Sequence, residues 1–473
     1  MGSSGPGIPS QAAGAGAVLA DGSSPNGAGA APEPATADPP SLAQRVAADG
    51  VRFILATFVD LNGKPCAKLV PAEAVGMLAA DGVGFAGYAA GALGQQPSDP
   101  DLMAMPDPAS YTSLSFLRPG LAMVHCDPFV EGEPWPFAPR VILRAVLGQL
   151  AARGLTAQVG AEAEYFLVRR DDAGRLAVAD ERDRSARPCY DARDLTRMYE
   201  HLTEVSTAIN GLGWSNYAND HEDGNGQFEQ NFTHATPLTT ADRLVAFRYL
   251  VQVLAEQRGM TATFMPKPFT DRTGTGLHMH MSLWRDGEPL FPDPADPRGL
   301  GLSATAYSFI AGLLDHAPAL LAVVAPTVNS YKRTTASAPA SGATWAPTAA
   351  SYGGNDRTHM IRVPDGDRIE VRACDGSANP YLAMAALLTA GLDGIDRGLD
   401  PGERGAAGRP LPPTLLHAVD GLAADERISG CLDGAATPAH QVAEYYRAVK
   451  REEFLTWHAQ VSDWETDRYL TAF

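Results

Sequence analysis

The stretch Ala161–Val168 reads AEAEYFLV and carries two glutamates two residues apart in apolar surroundings. On a strand, residues i and i+2 share a face, so Glu162 and Glu164 stand side by side while Ala161, Ala163 and Tyr165 point the other way. Adjacent carboxylates repel each other, and a bound cation relieves that repulsion. Three more stretches gather charged or metal-ligating side chains in the same manner. HEDGNGQFEQNF carries Glu222 and Glu229 around a glycine-rich turn. In GTGLHMHMSLW, His278, His280 and Ser282 alternate with Leu277, Met279 and Met281. In RIEVRAC, Arg368, Glu370 and Arg372 alternate with Ile369 and Val371.

Each stretch alone has a plainer reading. A glutamate pair fits a solvated face, HxH fits an edge pair, and Arg-x-Glu-x-Arg fits a surface ion ladder worth little. Glu222 and Glu229 could flank any polar loop. Together they describe more. The apolar partners on the opposite faces imply strands packed on a core. Glu162, Glu164, Glu222, Glu229, Glu370 and His278 suit hard divalent cations, Mg2+ or Mn2+, and imidazole is acceptable to Mn2+. The arginines beside Glu370 suit an anionic substrate, because guanidinium pairs bidentately with carboxylate and phosphate. Cations, arginines and an anion together describe phosphoryl transfer. No Walker A loop occurs, and no G-x-G-x-x-G follows a strand and opens a helix, so a nucleotide is not held on such a loop. The absence of G-x-S-x-G disfavours a serine hydrolase.

These side chains need elements to position them. Residues 1–40 are mostly Gly, Ala, Ser and Pro and read as a disordered tail. Residues 41–138 read as a small α+β domain. It holds a hairpin over Val51–Pro71 that turns at Asp60-Leu61-Asn62-Gly63, and a strand LAMVHCDPF that stops at Asp127-Pro128. Pro134, Pro136 and Pro139 mark its end. Residues 139–473 form the larger domain. It opens on a helix with Val141, Leu143, Val146, Leu147 and Leu150 at helical spacing, and further helices are predicted over Leu195–Ile209, Thr240–Gln257, Ala304–Leu321 and Pro380–Ile395. Strands and helices do not alternate regularly, which favours α+β with an antiparallel sheet over a doubly wound fold.

Composition bounds the class. The chain has 473 residues, 45% hydrophobic and 19% charged, with a formal charge of −18. That is long enough for two domains and a large core, and the acidic balance argues against a nucleic-acid partner. Five scattered cysteines without a CxxC pattern suit a reducing cytoplasm. No apolar run approaches a membrane span.

The motifs EAEYF, HEDGNGQFE, GTGLHMHMSLW, NSYKR (Asn329–Arg333) and RIEVRACDGSANPYLAMAALL occur in the order found in the glutamine synthetase superfamily, which the chain resembles from about residue 45 to 470. SNYANDHEDGNGQFEQNF and KRTTASAPASGATWAP resemble the type III glutamate–ammonia ligase branch, whose relatives include γ-glutamylmethylamide synthetases. The resemblance implies a β-grasp N-terminal domain and a catalytic domain with a curved antiparallel sheet flanked by helices. It implies one metal site at Glu164, Glu222 and Glu229 and a second at Glu162, His278 and Glu370, with two or three ions per active site. It assigns glutamate binding to Gly274, Arg333, Arg372 and Glu164, and nucleotide binding to His280, Ser282, Arg357, Arg362 and Arg368. It places Asp60 at a neighbouring subunit's site, in a homo-oligomer of two stacked hexameric rings.

The implied reaction has two steps. The γ-carboxylate of glutamate attacks the γ-phosphorus of ATP, and an amine then displaces phosphate from γ-glutamyl phosphate. Arg333, Arg357 and Arg362, with the cations, would neutralise the charge. Glutamine-forming members carry a flap glutamate six residues past the NSYKR arginine. Here that position is Pro339, and no glutamate occurs between Lys332 and Ile369. A less charged pocket favours a small alkylamine such as methylamine, whose methyl gains up to ~0.8 kcal/mol on burial; Asp60 remains the expected base. Thr273 replaces the family's usual Asn before the substrate-binding glycine. The alternatives are ammonia as nucleophile, a larger amine, a paralogue with an inactive site, and a metallohydrolase that needs no ATP.

Overall fold

The hairpin forms where the turn residues require it. In the computed structural model, which describes residues 40–334, 344–435 and 440–473, Phe53–Val59 pairs antiparallel with Pro65–Pro71. Asp60 closes the turn: its Oδ1 accepts the backbone N–H of Asn62 at 3.0 Å and of Lys64 at 2.9 Å. Gly63 takes φ 81°, a conformation open to glycine at little cost. This hairpin is one edge of a seven-stranded mixed sheet that continues through Leu121–Val130, Leu102–Pro106 and Val83–Phe85. Leu121–Val130 runs parallel to Phe53–Val59. The strand does not stop at Asp127-Pro128, as expected from sequence, but runs on to Val130. Pro128 needs to supply only its carbonyl, and that accepts from Trp135 N–H at 2.8 Å.

The second sheet has ten strands. Its main path runs Asn216–His221, Gln227–Phe232, Thr156–Arg170, Leu277–Arg285, Arg368–Val371, Ile361–Asp365, Tyr352–Gly353. Every pairing along it is antiparallel except the last, which is parallel. The alternation in the sequence decides which face is core. Ala161, Ala163, Tyr165, Leu277, Met279, Met281, Ile369 and Val371 are each at most 3% exposed. Thr156–Arg170 packs against the helix Pro237–Glu256, which in turn contacts the almost wholly buried helix Pro380–Asp396. The glutamates, histidines and arginines are left on the other face.

Two expected helices are each broken into two. Ala304–Leu321 is Ala304–Asp315 and Ala317–Val324, bent by 76°. Pro318 in the second helix lacks the N–H that continuity needs, and His316 at the break is held between Asp425 at 2.6 Å and Asp393 at 3.0 Å. Leu195–Ile209 is Ala192–Arg197 and Tyr199–Gly211, with a tightened turn at Met198, whose N–H donates to Leu195 O at 3.2 Å. The described residues all belong to one compact unit. An ion network crosses between the sheets' elements: Arg140, on the helix Pro139–Ala152, pairs with Asp107, Asp127 and Asp242. Among the described residues, no single helix is long and apolar enough to cross a membrane. Pro339 and the expected tail, apart from Pro40, lie outside the described residues.

Candidate active site

Strand register brings the four stretches together. Glu162 stands opposite His278, Glu164 opposite Glu229, and His280 and Arg362 opposite Glu370. Cross-strand partners on one face approach within side-chain contact, so the residues converge by pairing alone. They line a cavity of about 530 Å3 whose walls include Glu162, Glu164, Glu222, Glu229, His278 and His280, with Gly274, Arg333, Arg357, Arg362, Arg368 and Arg372.

Glu162 is the junction. Its oxygens lie 3.0 Å from His280 Nε2 and 3.3 Å from His278 Nδ1. Burial alone would raise its pKa, but His280 and His278 outweigh that and hold the carboxyl well below the usual range. Glu370 sits beneath the cavity, fully buried. It pairs with Arg362 and Arg372, and lies 3.6 Å from His278 Nδ1. The two histidines and Arg372 pull its pKa down against the effect of burial. Arg368 reaches His280 Nδ1 at 3.1 Å.

The hairpin side is electrostatically different. Burial pushes Glu222 up to about 8, helped by Glu164, Asp223 and Asp220. Glu229 is driven well above its ordinary value by burial and by Glu162, Glu222 and Glu164. Ligand atoms of Glu162, Glu229 and His278 lie within 4.8 Å of one another, as do those of Glu162, His280 and Glu370. Carboxylates and imidazoles crowded against their own repulsion form a donor set that fits a hard divalent cation. Glu222 groups instead with Cys189 and Asp223.

Two glycines are required by close approach. A Cβ on Gly276 would stand 2.8 Å from both Glu164 Oε1 and His278 Nε2, and one on Gly274 would meet Pro266 O at 2.6 Å and Arg333 Cγ at 2.7 Å. The Gly276 N–H and Gln227 Nε2 both donate to Glu164 Oε2, at 2.7 and 2.6 Å. Arg333 is buried, and its guanidinium donates to Arg372 O at 3.2 Å.

Two expected site residues lie elsewhere. Ser282 does not line the cavity; its Oγ accepts from Trp284 Nε1 at 2.9 Å. Asp60 is 3% exposed and outside the cavity, and its carboxylate accepts the N–H groups of Asn62, Lys64 and Ala92. Within one chain it shapes the turn.

Several residues at the site carry no sequence signal of their own. Asp220 lines the cavity opposite Glu229, a placement that only the register reveals. Trp345 lines it too, with its indole N–H on Asp223 Oδ2 at 2.7 Å. Asp183 anchors the hairpin turn from behind: it contacts His221 Nε2 at 2.8 Å, Asn225 Nδ2 at 2.8 Å and Gly226 N at 2.5 Å. Burial lowers the pKa of His221, but Asp183 more than offsets it and the net direction is up.

The family model described as the glutamine synthetase catalytic domain matches residues 136–469. The chain belongs to the glutamine synthetase family. Among similar members, a glutamate–methylamine ligase of Methyloversatilis universalis is 42% identical over 450 residues, covering 92% of this chain and 100% of the relative. A glutamine synthetase of Rhizobium leguminosarum bv. phaseoli is 40% identical over 89% of this chain and 97% of its own. A solved structure of GmaS in complex with ADP aligns with a TM-score of 0.85 at 44% identity, covering 91% of this chain and 99% of that one. Both sheets of this family member fit the α+β architecture that its motifs implied.

Proposed function

We propose that the protein is an ATP-dependent ligase joining the γ-carboxylate of glutamate to a small amine, methylamine before ammonia. The observation that carries this reading is one cavity in which uncompensated carboxylates meet Arg333, Arg357, Arg362 and Arg368. The glutamate-free sequence from Lys332 to Ile369 and the 42% identical methylamine ligase favour the alkylamine.

In this reading Gly274, Arg333 and Arg372 bind glutamate, and His280, Arg357, Arg362 and Arg368 bind the nucleotide. Ser282 supports the nucleotide strand from outside the cavity. The γ-carboxylate oxygen bonds to the γ-phosphorus of ATP, and ADP leaves. The amine nitrogen, having lost one proton, then attacks the γ-carbonyl carbon. The bond to phosphate breaks, and the nitrogen releases its second proton. Glu162, Glu164, Glu222, Glu229, His278 and Glu370 would hold two or three Mg2+ or Mn2+ ions. Bound there, the ions would supply Lewis-acid charge stabilisation. Arg333, buried and lining the same space, orients the carboxylate. Asp60 could serve such a site as a base only from a second copy of the chain, and only once its buried carboxylate is released from the N–H groups of Asn62, Lys64 and Ala92. The reading therefore includes a cytoplasmic homo-oligomer with shared sites, two stacked hexameric rings, and a division into a β-grasp domain over 41–138 and a catalytic domain over 139–473.

Phosphate release with glutamate, ATP and a panel of amines tests the proposal. Methylamine is expected to give the highest kcat/KM. Better turnover with ammonia at equal concentration rejects the amine assignment, and no glutamate-dependent ADP release rejects the ligase. Native mass spectrometry checks the oligomer.

A further inference from the structure

Trp345 lies within the glutamate-free segment and lines the cavity wall. It is 43% exposed, a high value for a tryptophan in a chain with so large a core. It is nevertheless fixed: its indole N–H donates to Asp223 Oδ2 at 2.7 Å. Asp223 in turn adjoins Glu222, and ligand atoms of the two lie within 4.8 Å of each other and of the Cys189 sulfur. One end of the cavity thus sets an aromatic ring beside carboxylates.

That pairing has a definite chemistry. Carboxylates accept the N–H groups of any ammonium. An aromatic face adds attraction for a cation and dispersion contact for carbon attached to it. Ammonium has no carbon to offer and keeps most of its hydration. An alkylammonium has one apolar end and one charged end, and the ring and the carboxylates match them. A side chain that merely covered the cavity would need no polar tether. The Asp223 bond holds the indole edge and so fixes where the face can stand.

We propose that Trp345, held by Asp223, is the specificity-determining residue that selects a small alkylammonium over ammonium. This inference rests on the ligase reading above and names the group that sets its amine preference. The indole face contacts the alkyl carbon while the neighbouring carboxylates take the N–H groups. Loss of the ring therefore raises KM for methylamine more than it changes kcat.

The test uses the full-length protein with saturating glutamate, Mg2+ and ATP. kcat and KM are measured for methylamine and for ammonia by phosphate release, with the product confirmed by mass. Trp345→Ala is expected to lower the methylamine-to-ammonia ratio of kcat/KM by ~10-fold or more, chiefly through KM. Trp345→Phe keeps a ring but loses the N–H held by Asp223, and is expected to retain only part of the ratio. Should Trp345→Ala not fold, Trp345→Leu, which fills space without a π face, gives the same comparison. A ratio unchanged in the Ala or Leu variant overturns the inference. So does an equal fall for both amines, the signature of a structural role. Failure of the ligase reading looks different, because the wild-type protein then releases no phosphate with any amine, before a variant is made.

Discussion

Arg140 and Glu229 are both buried charged groups, and their surroundings are opposite in kind. Arg140 is enclosed by Asp107, Asp127 and Asp242, each within 2.9 Å, and Arg144 shares two of the three. Burial works against the Arg140 charge, but the Asp242 bonds more than offset it and its pKa rises. Asp107 moves down, because Arg140 outweighs the effect of burial there. Glu229 faces Glu162, Glu222 and Glu164, and its hydrogen-bond donor is the neutral Asn231 amide at 3.0 Å. The first cluster is complete within the chain and holds elements together. The second is incomplete, and incompleteness is what a binding site requires.

The largest effect expected from this contrast is on stability. Arg140→Leu leaves buried Asp242 without its arginine, and Asp107 and Asp127 with only the half-exposed Arg144, and should cost about 3–5 kcal/mol in denaturant unfolding. A loss under ~1 kcal/mol would show that the network is not closed. In the other cluster the sign reverses. Glu229→Gln should reduce phosphate release by ~100-fold or more and weaken Mn2+ binding, while the metal-free melting temperature holds or rises. A large fall in that temperature would mean that Glu229 is already compensated.

Titration sharpens the same point. Glu222, pushed from 4.5 up to about 8, keeps its proton in the folded metal-free chain after the unfolded chain has released it. Its stabilising contribution is whole below 4.5 and is lost as pH rises through about 8. The melting temperature of EDTA-treated protein should therefore fall more steeply with pH across that window in wild type than in Glu222→Gln. Added Mg2+ should shrink the difference. Identical slopes would remove Glu222 from the uncompensated set.

Smaller effects lie at the edges of each cluster. Asp183→Asn keeps the size of the side chain but weakens the anchor on His221 and Gly226. A ~10-fold loss of Mn2+ affinity, read by titration on the ATP-free protein, with little change in melting temperature is expected. The smallest effect is Arg144→Ala. Its side chain is 42% exposed, so its pairs with Asp107 and Asp127 should be worth under ~1 kcal/mol.

The legible parts of this molecule are those with local periodicity. Ala161 to Tyr165, Leu277 to Met281 and Arg368 to Arg372 alternate so plainly that residue order alone tells the buried face from the reactive one. The helix break at Met198 is not legible, because the apolar spacing runs on unchanged while one turn tightens. Asp183 is hidden because it sits 38 residues from His221, in a segment with no period to reveal its direction. Trp345 is hidden because nothing nearby in sequence predicts a partner at Asp223, 122 residues away. Asp60 is visible as a turn residue, but how fully its oxygens are taken up by backbone N–H groups depends on Ala92, which comes from another loop. Long-range pairing of irregular segments leaves no local signature, and such segments supply much of what surrounds the chemistry.

The direct opposition of Glu162 and His278 has a consequence for how this protein can fail. Slip that strand pair by a single residue and every ligand turns inward, while the alanines, leucines and methionines turn out into water. A mis-registered chain would be inert and also unable to stay soluble. Quality control that detects exposed grease would then remove the defective copies without ever sensing catalysis.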